Sequence, residues 1–219
     1  VQQSMDKTRT CLLTMDVTDE SSVAAAFIKF NDFSGNNLDV LFNCAGILRM
    51  GDNSTISLAD QHLTMQINVG GILNCIHYAL PALKGKTTTK KAKHAHIISM
   101  SSASAVYGTP QLSVYSASKH AVKGLTEALN IELEPQGVWV SDIMVPYVKT
   151  PMVNESIQQA ASVKKNGVNI DASTVANAVW QAAHSKRVHR QVSVSMYLLS
   201  FAHWALPFSR KWLLTRLAS

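Results

Sequence analysis

Three short runs constrain this chain more than anything else in it: LDVLFNCAG (Leu38–Gly46), AHIISMSS (Ala95–Ser102) and GVWVSDIMVP (Gly137–Pro146). Each is nearly continuous in apolar residues and then turns polar or glycine-bearing. Runs without polar alternation are strands buried on both faces. Stretches with helical periodicity separate them, at Ser57–Leu83, Ser113–Pro135 and Ser173–Ser185. The same reading gives a strand over Thr10–Val17, a helix capped by Thr18 or Asp19 and running to Phe30, and a short strand over Arg190–Ser195. Strands alternating with helices predict an α/β chain whose parallel sheet is covered on both faces. No internal repeat is visible.

Composition agrees. At 219 residues, 47% apolar and 16% charged, the chain suits one domain with a sizeable core rather than a disordered or fibrous protein. Cys11, Cys44 and Cys75 lack metal-ligand spacing and are too sparse for a disulfide framework, so they are expected as buried free thiols in a reducing compartment. His94, His96 and His120 show no ligand pattern, and no metal is expected. The net charge of +6 is uneven: five lysines crowd Lys84–His96, and no acidic residue follows Asp171. That lysine stretch lacks interleaved aromatic residues, which reads as a solvated loop and argues against nucleic acid as a partner. No signal peptide is visible at the start.

Ligands in such sheets bind beyond the carboxyl ends of the strands. Here those ends are Asp16, Asn43–Gly46, Ser101–Ser102 and Pro146–Thr150, which are expected to converge on one crevice. Tyr115 and Lys119, four residues apart in YSASK, share a helix face. An ammonium beside a phenol favours the phenolate, so Tyr115 is a candidate proton donor for carbonyl chemistry. The same spacing arises by chance in many helices, and the assignment depends on its neighbours. Ser102 ends its strand thirteen residues upstream, within reach of the same substrate oxygen. Asn68 lies inside a long helix beside Gly70 and Gly71, where an amide breaks the local ladder or holds a water. Ser101 and Ser104 read as turn formers, Tyr107 as pocket wall and Asp39 as a strand start.

With DV at Asp16–Val17, NCAG at Asn43–Gly46, INVGG around Asn68, SMSSASAVYG around Ser102, YSASK at Tyr115–Lys119 and VPYVKTPM at Val145–Met152, the chain resembles the short-chain dehydrogenase/reductase family over essentially its whole length. The resemblance implies a Rossmann-like doubly wound parallel sheet flanked by helices. It also implies an oxidoreductase that moves hydride between NAD or NADP and a carbonyl or secondary alcohol. Tyr115 would be the general acid or base, Lys119 would lower its pKa and hold the ribose hydroxyls, and Ser102 would position the carbonyl. Asn68 would hold a water linking Lys119 to solvent. Asp16 and Val17 would border the adenine, Asn43, Ala45 and Gly46 would line the cofactor, and Val148 and Thr150 would meet its carboxamide end. Asn43 can also be read as a cap for its own strand.

Departures from the family pattern carry equal weight. The glycine-rich turn that holds a pyrophosphate is absent, since the first glycine is Gly35. The N-terminal strand–helix–strand unit is therefore missing, and a fragment of a longer protein or a truncated product is expected. Thr10–Val17 then has no expected neighbour, and one sheet edge is open. The residue separating NAD from NADP would lie in that unit, so both stay open. Tyr147 follows Pro146 where the family has glycine; it lacks glycine's backbone freedom, and its ring should narrow the pocket. Cys44 and Ser104 replace a common asparagine and glycine.

Residues 1–195 are thus expected to form the catalytic domain. The apolar and basic tail, 196–219, should pack on it, with peripheral membrane contact as the other outcome. The partners implied are a small carbonyl or alcohol substrate, lipid-like in character, and a second copy of the chain through the two long helices. A cytoplasmic location, with possible membrane association, follows. The alternative to catalysis is a non-catalytic scaffold on the same fold or an inactive truncated product.

Overall fold

The computed structural model describes residues 9–84, 94–154 and 160–205. The lysine-rich segment and the tail beyond residue 205 lie outside the described residues. Four parallel strands form one sheet in the order β1 (Val40–Asn43), β2 (Ala95–Met100), β3 (Val138–Met144) and β4 (His189–Gln191). The longest pairing joins β2 to β3, from Ala95 opposite Val138 to Met100 opposite Ile143.

Helices cover both faces, as the apolar runs required. On one face, α3 (Gly71–Lys84) and α4 (Ser113–Leu133) bury Ile72, Ile76, Val122 and Leu133 against Ile97, Val138 and Val140. On the other, α7 (Ala172–Ala182) buries Ala178 and Ala182 against Ile98 and Ile143. The remaining helices are α1 (Glu20–Ser34), α2 (Leu58–Met65), the short α5 (Pro151–Asn154) and α6 (Ala161–Asn166), and α8 (Val194–Ala205). Asp19 caps α1 by accepting a hydrogen bond from the Ser21 amide, and Gly35 ends it in the left-handed region at φ 63°. The long helix expected over Ser57–Leu83 is present, but a π turn at Gln66–Gly70 interrupts it, with Asn68 inside.

Three sequence expectations fail. Thr10–Val17 forms no strand of the sheet, and Leu12 is 71% exposed. A strand is held by a ladder on at least one side, and the described residues offer none there. What fixes this segment is helical packing. The Val17 carbonyl accepts from Asn74 Nδ2 at 2.9 Å, and Gly71 leaves room for the Val17 side chain, which a Cβ at that position would meet at 2.7 Å. The cysteines also differ, since only Cys75 is buried while Cys11 and Cys44 are exposed. Arg190–Ser195 is a strand only at its start, because α8 begins at Val194. Among the described residues, no helix is long and apolar enough to cross a membrane.

His96 sits fully inside the sheet, its Nε2 3.0 Å from the Ser141 hydroxyl. Burial depresses its pKa from the ordinary 6.5 to about 4. A buried imidazole that must stay neutral contributes stability above pH 6.5 that is lost as pH falls towards 4, on the order of 3 kcal/mol. His96→Gln, which keeps a polar partner for Ser141 without titrating, should flatten that acid-side loss when urea midpoints are compared at pH 7 and pH 4.5.

Candidate active site

The carboxyl ends of β1, β2 and β3 open into a cavity of about 700 Å³. Its lining includes Cys44, Gly46, Ser101, Ser102, Tyr115 and Lys119, with Val148 and Thr150 on the β3 side. Three of the four expected strand ends therefore converge. The fourth, Asp16, does not reach this lining. Its carboxylate turns back on its own segment, accepting from the Thr18 amide at 2.9 Å and the Thr18 hydroxyl at 2.8 Å. Val17 lies against Gly71, outside the cavity. Asn43 is buried and donates to the Ser99 hydroxyl at 3.2 Å, so its side chain ties β1 to β2, and Ala45 stands exposed beyond the strand.

Tyr115 and Lys119 project from the first two turns of α4 towards the end of β2. The Lys119 ammonium, buried, donates to the Met100 carbonyl at 2.9 Å and lies 5.5 Å from the centre of the Tyr115 ring. The Ser102 hydroxyl acts on the Tyr115 phenol at the cavity wall, and Ser102 also accepts from the Ser104 amide at 3.2 Å. Burial pushes the Tyr115 phenol up to about 12; the Ser102 hydrogen bond opposes this and Tyr147 adds to it. Lys119 moves the other way, down to about 8 through burial, with the charges of Cys44 and Asp142 opposing. The expectation that Lys119 holds the phenol low is therefore outweighed here by desolvation of the phenolate. Tyr115 is a protonated donor at neutral pH, and Lys119 is poised close to titration.

Asn68 is buried inside the π turn. Its side chain clamps the loop after β1, with Oδ1 accepting from the Ile47 amide at 2.8 Å and Nδ2 donating to the Ile47 carbonyl at 3.0 Å. The second Nδ2 hydrogen goes to the Ser118 hydroxyl at 3.1 Å. Both amide hydrogens are thus used by protein. Gly46 makes this approach possible, since a Cβ there would stand 3.2 Å from Asn68 Oδ1. The π turn aims the amide into the loop.

A second cavity of about 530 Å³ shares Ser102, Pro146 and Tyr147 with the first and extends under α8. Tyr107 lines it, as expected for pocket wall. Tyr147 stands between the two cavities, its hydroxyl 2.6 Å from that of Ser162. Its φ is not positive, so this position does not need glycine, contrary to the sequence reading. Ser101 and Ser104 are both buried, and Ser104 lies in the tight turn Ala103–Ala105. Asp142 and His189 were not singled out from sequence; a carboxylate inside the apolar run GVWVSDIMVP was the available signal.

The residues suit the nicotinamide-ribose half of a dinucleotide. Gly46 brings backbone close to the cavity, Lys119 supplies a cation beside the Tyr115 hydroxyl, and Val145, Val175 and Val179 give an apolar wall. The orphaned, buried Ser101 hydroxyl also lies in this lining. Among the described residues, no glycine-rich turn at a strand end is present for a pyrophosphate.

Comparison with known proteins agrees with this geometry. A family model described as short chain dehydrogenase matches residues 1–161. The chain is 33% identical over 146 residues to the oxidoreductase UcpA of Salmonella typhimurium, covering 66% of this chain and 53% of that protein. It is 34% identical over 151 residues to a 3-alpha-(or 20-beta)-hydroxysteroid dehydrogenase of Mycobacterium tuberculosis, covering 67% of this chain and 55% of that one. The chain thus spans about half the length of the curated relatives it matches. A short chain dehydrogenase from Burkholderia cenocepacia, solved in complex with NADP, superposes with a TM-score of 0.75 at 23% identity, covering 94% of this chain and 78% of that one.

Asn68→Ala should remove the clamp and leave the Ile47 amide and carbonyl without their partner. The expected cost is about 2–4 kcal/mol in chemical denaturation, with faster amide exchange at Ile47 than at the β2 core.

Proposed function

Because the chain belongs to the short-chain dehydrogenase family, we propose that the protein it represents is an NAD- or NADP-dependent oxidoreductase acting on a carbonyl or secondary alcohol. The observation that carries this reading is the Ser102–Tyr115 hydroxyl pair at the cavity wall with the buried Lys119 ammonium beside it. A bound nicotinamide dinucleotide supplies or accepts the hydride.

The chain's own residues do the rest. A substrate oxygen placed between Ser102 and Tyr115 accepts two hydrogen bonds, which polarise the carbonyl and fix its orientation. Tyr115 then gives up its proton to the oxygen as negative charge develops there. The phenolate so formed faces the Lys119 ammonium, which offsets the cost of a buried anion. In the oxidation direction the same proton returns to Tyr115. Lys119 and Tyr115 also hold the ribose hydroxyls in this reading. Gly46, Val148 and Thr150 border the nicotinamide end, with Asn43 and Ala45 near the β1 end and Asp16 and Val17 towards the adenine. Asn68 acts mainly by holding the Ile47 loop that shapes this wall.

The second cavity supports a partly apolar, lipid-like substrate, since Ile170, Met196, Leu198 and Ala202 line it alongside several hydroxyls. Free thiols suit a cytoplasmic location. Leu73 on α3 and Ile131 on α4 are exposed, which suits pairing of two copies through those helices.

The α8 helix supports contact with a membrane surface. Val194, Leu198, Phe201 and Trp204 recur at helical spacing and are all at least 64% exposed, while Met196 packs inward. No acidic residue follows Asp171, and Lys186, Arg187 and Arg190 lie just before α8. An apolar stripe with cations nearby fits the interface of an anionic bilayer.

In the natural protein, Tyr115→Phe should reduce kcat by at least about 100-fold while dinucleotide binding persists. Turnover left intact would overturn the catalytic reading. Co-sedimentation with phosphatidylserine-containing vesicles should exceed that with phosphatidylcholine vesicles and fall on Trp204→Glu. Equal recovery on both lipids would overturn the membrane reading.

A further inference from the structure

Asp142 is a carboxylate with no solvent access, in the middle of a parallel sheet. A charge in such a place needs a partner. It shares the α4-facing side of β3 with Val140 and Val138, two and four residues earlier. His189, opposite it on β4, places Nδ1 3.1 Å from each carboxylate oxygen. The other ring nitrogen, Nε2, lies 3.0 Å from Glu127 Oε1 on α4. A carboxyl group against each ring nitrogen favours the imidazolium form, and raises His189 above its ordinary value. Lys123 Nζ stands 3.7 Å from the same Glu127 oxygen.

Lys119, Lys123 and Glu127 follow one stripe of α4 at four-residue spacing. At the inner end of this stripe, Lys119 donates to the Met100 carbonyl. Met100 pairs with Ile143, the residue after Asp142. Lys119 therefore reaches the β2 backbone from α4 at the strand pair next to Ser99–Asp142, and Asp142 faces the same helix. Charges alternate along the whole line: Lys119, Asp142, His189, Glu127, Lys123.

We propose that Asp142, held in place by His189 and Glu127, is a positioning residue for Lys119, a buried counter-charge that keeps the ammonium protonated where Tyr115 acts. Without it Lys119 would have one carbonyl and the Cys44 thiol to offset its desolvation. Asp142 touches neither substrate nor cofactor and acts through Lys119 alone. Burial pushes Asp142 up and the hydrogen bond from His189 opposes that. Burial works against the charge on His189, yet the bond and charge of Asp142, then those of Glu127, raise it overall. Among the described residues, the titratable groups along this line are Tyr115, Lys119, Lys123 and Glu127 from α4, Asp142 from β3, His189 from β4, and Cys44 from the loop after β1.

The catalytic consequence rests on the role proposed above for Lys119, but the test does not use turnover. The natural protein, labelled with ¹³C-lysine, is titrated by NMR at the Lys119 Cε resonance, assigned by its loss in Lys119→Met. The wild-type midpoint should lie near 8. Asp142→Asn, which keeps a hydrogen-bonding amide but no charge, should lower it by about one pH unit. His189→Gln takes away the group that keeps Asp142 charged and should lower the Lys119 midpoint as well, whereas a merely structural role would leave that midpoint unmoved. Lys149, paired with exposed Asp171, serves as the internal control and should not move. An unchanged Lys119 midpoint in folded Asp142→Asn overturns the proposal. If that variant does not fold, an unchanged or raised Lys119 midpoint in folded His189→Gln overturns it.

Discussion

The parallel pairing of β2 with β3 is the constraint on which the site depends. Six residue pairs, Ala95–Val138 through Met100–Ile143, lock the two strands in register with both faces buried. Parallel strands point their carboxyl ends the same way, so this register brings Ser101–Ser102 and Val145–Tyr147 to the same rim. A slip of one residue would turn each side chain to the other face. Asp142 would then point at α7 and Ile143 at α4. The geometry of the candidate site is in this sense a by-product of the hydrophobic pattern that seats α4 and α7.

Burial then decides the chemistry of the groups that the register assembles. The same desolvation acts with opposite sign on different residues: it raises Tyr115 to about 12 and lowers Lys119 to about 8 and His96 to about 4. Each shift disfavours the charged form. Tyr115 retains its proton, whereas Lys119 is brought close to losing its own. A buried cation at that threshold is sensitive to neighbouring charge, and Asp142 is the buried carboxylate on the same face. Polar groups inside the sheet are consequently arranged in hydrogen-bonded sets, Asn43 with Ser99, His96 with Ser141, and Asp142 with His189.

Much of the fold was legible because buried parallel strands announce themselves as unbroken apolar runs. Helix α1 was legible from its Asp19 cap, and α4 from its periodicity. The Ser102, Tyr115 and Lys119 group was legible because its members lie on one strand end and one helix start. Thr10–Val17 was misread because an apolar run carries the tendency to form a strand but not the neighbour needed to complete one. The exposure of Cys11 and Cys44 was likewise invisible, since both lie beside apolar residues and only the path of the chain decides which side is covered. Asn68 was found, but its work as a clamp on Ile47 depends on a residue 21 positions away. Tyr147 was expected to conflict with a glycine position, yet the backbone there is ordinary, and its ring divides two cavities.

By itself, the sequence determined the α/β class, the order of the main strands and helices, and the spacing that puts Tyr115, Lys119 and Ser102 within reach of one another. These follow from local periodicity and short-range geometry, which a linear pattern carries. Only the tertiary structure decided that the clamp runs from Asn68 to Ile47, that Tyr147 stands between two cavities, and that Asp142, His189 and Glu127 form one line towards Lys119. Each of these joins segments far apart in the chain, and each is governed by burial, which is a property of how the elements stack and not of any one of them.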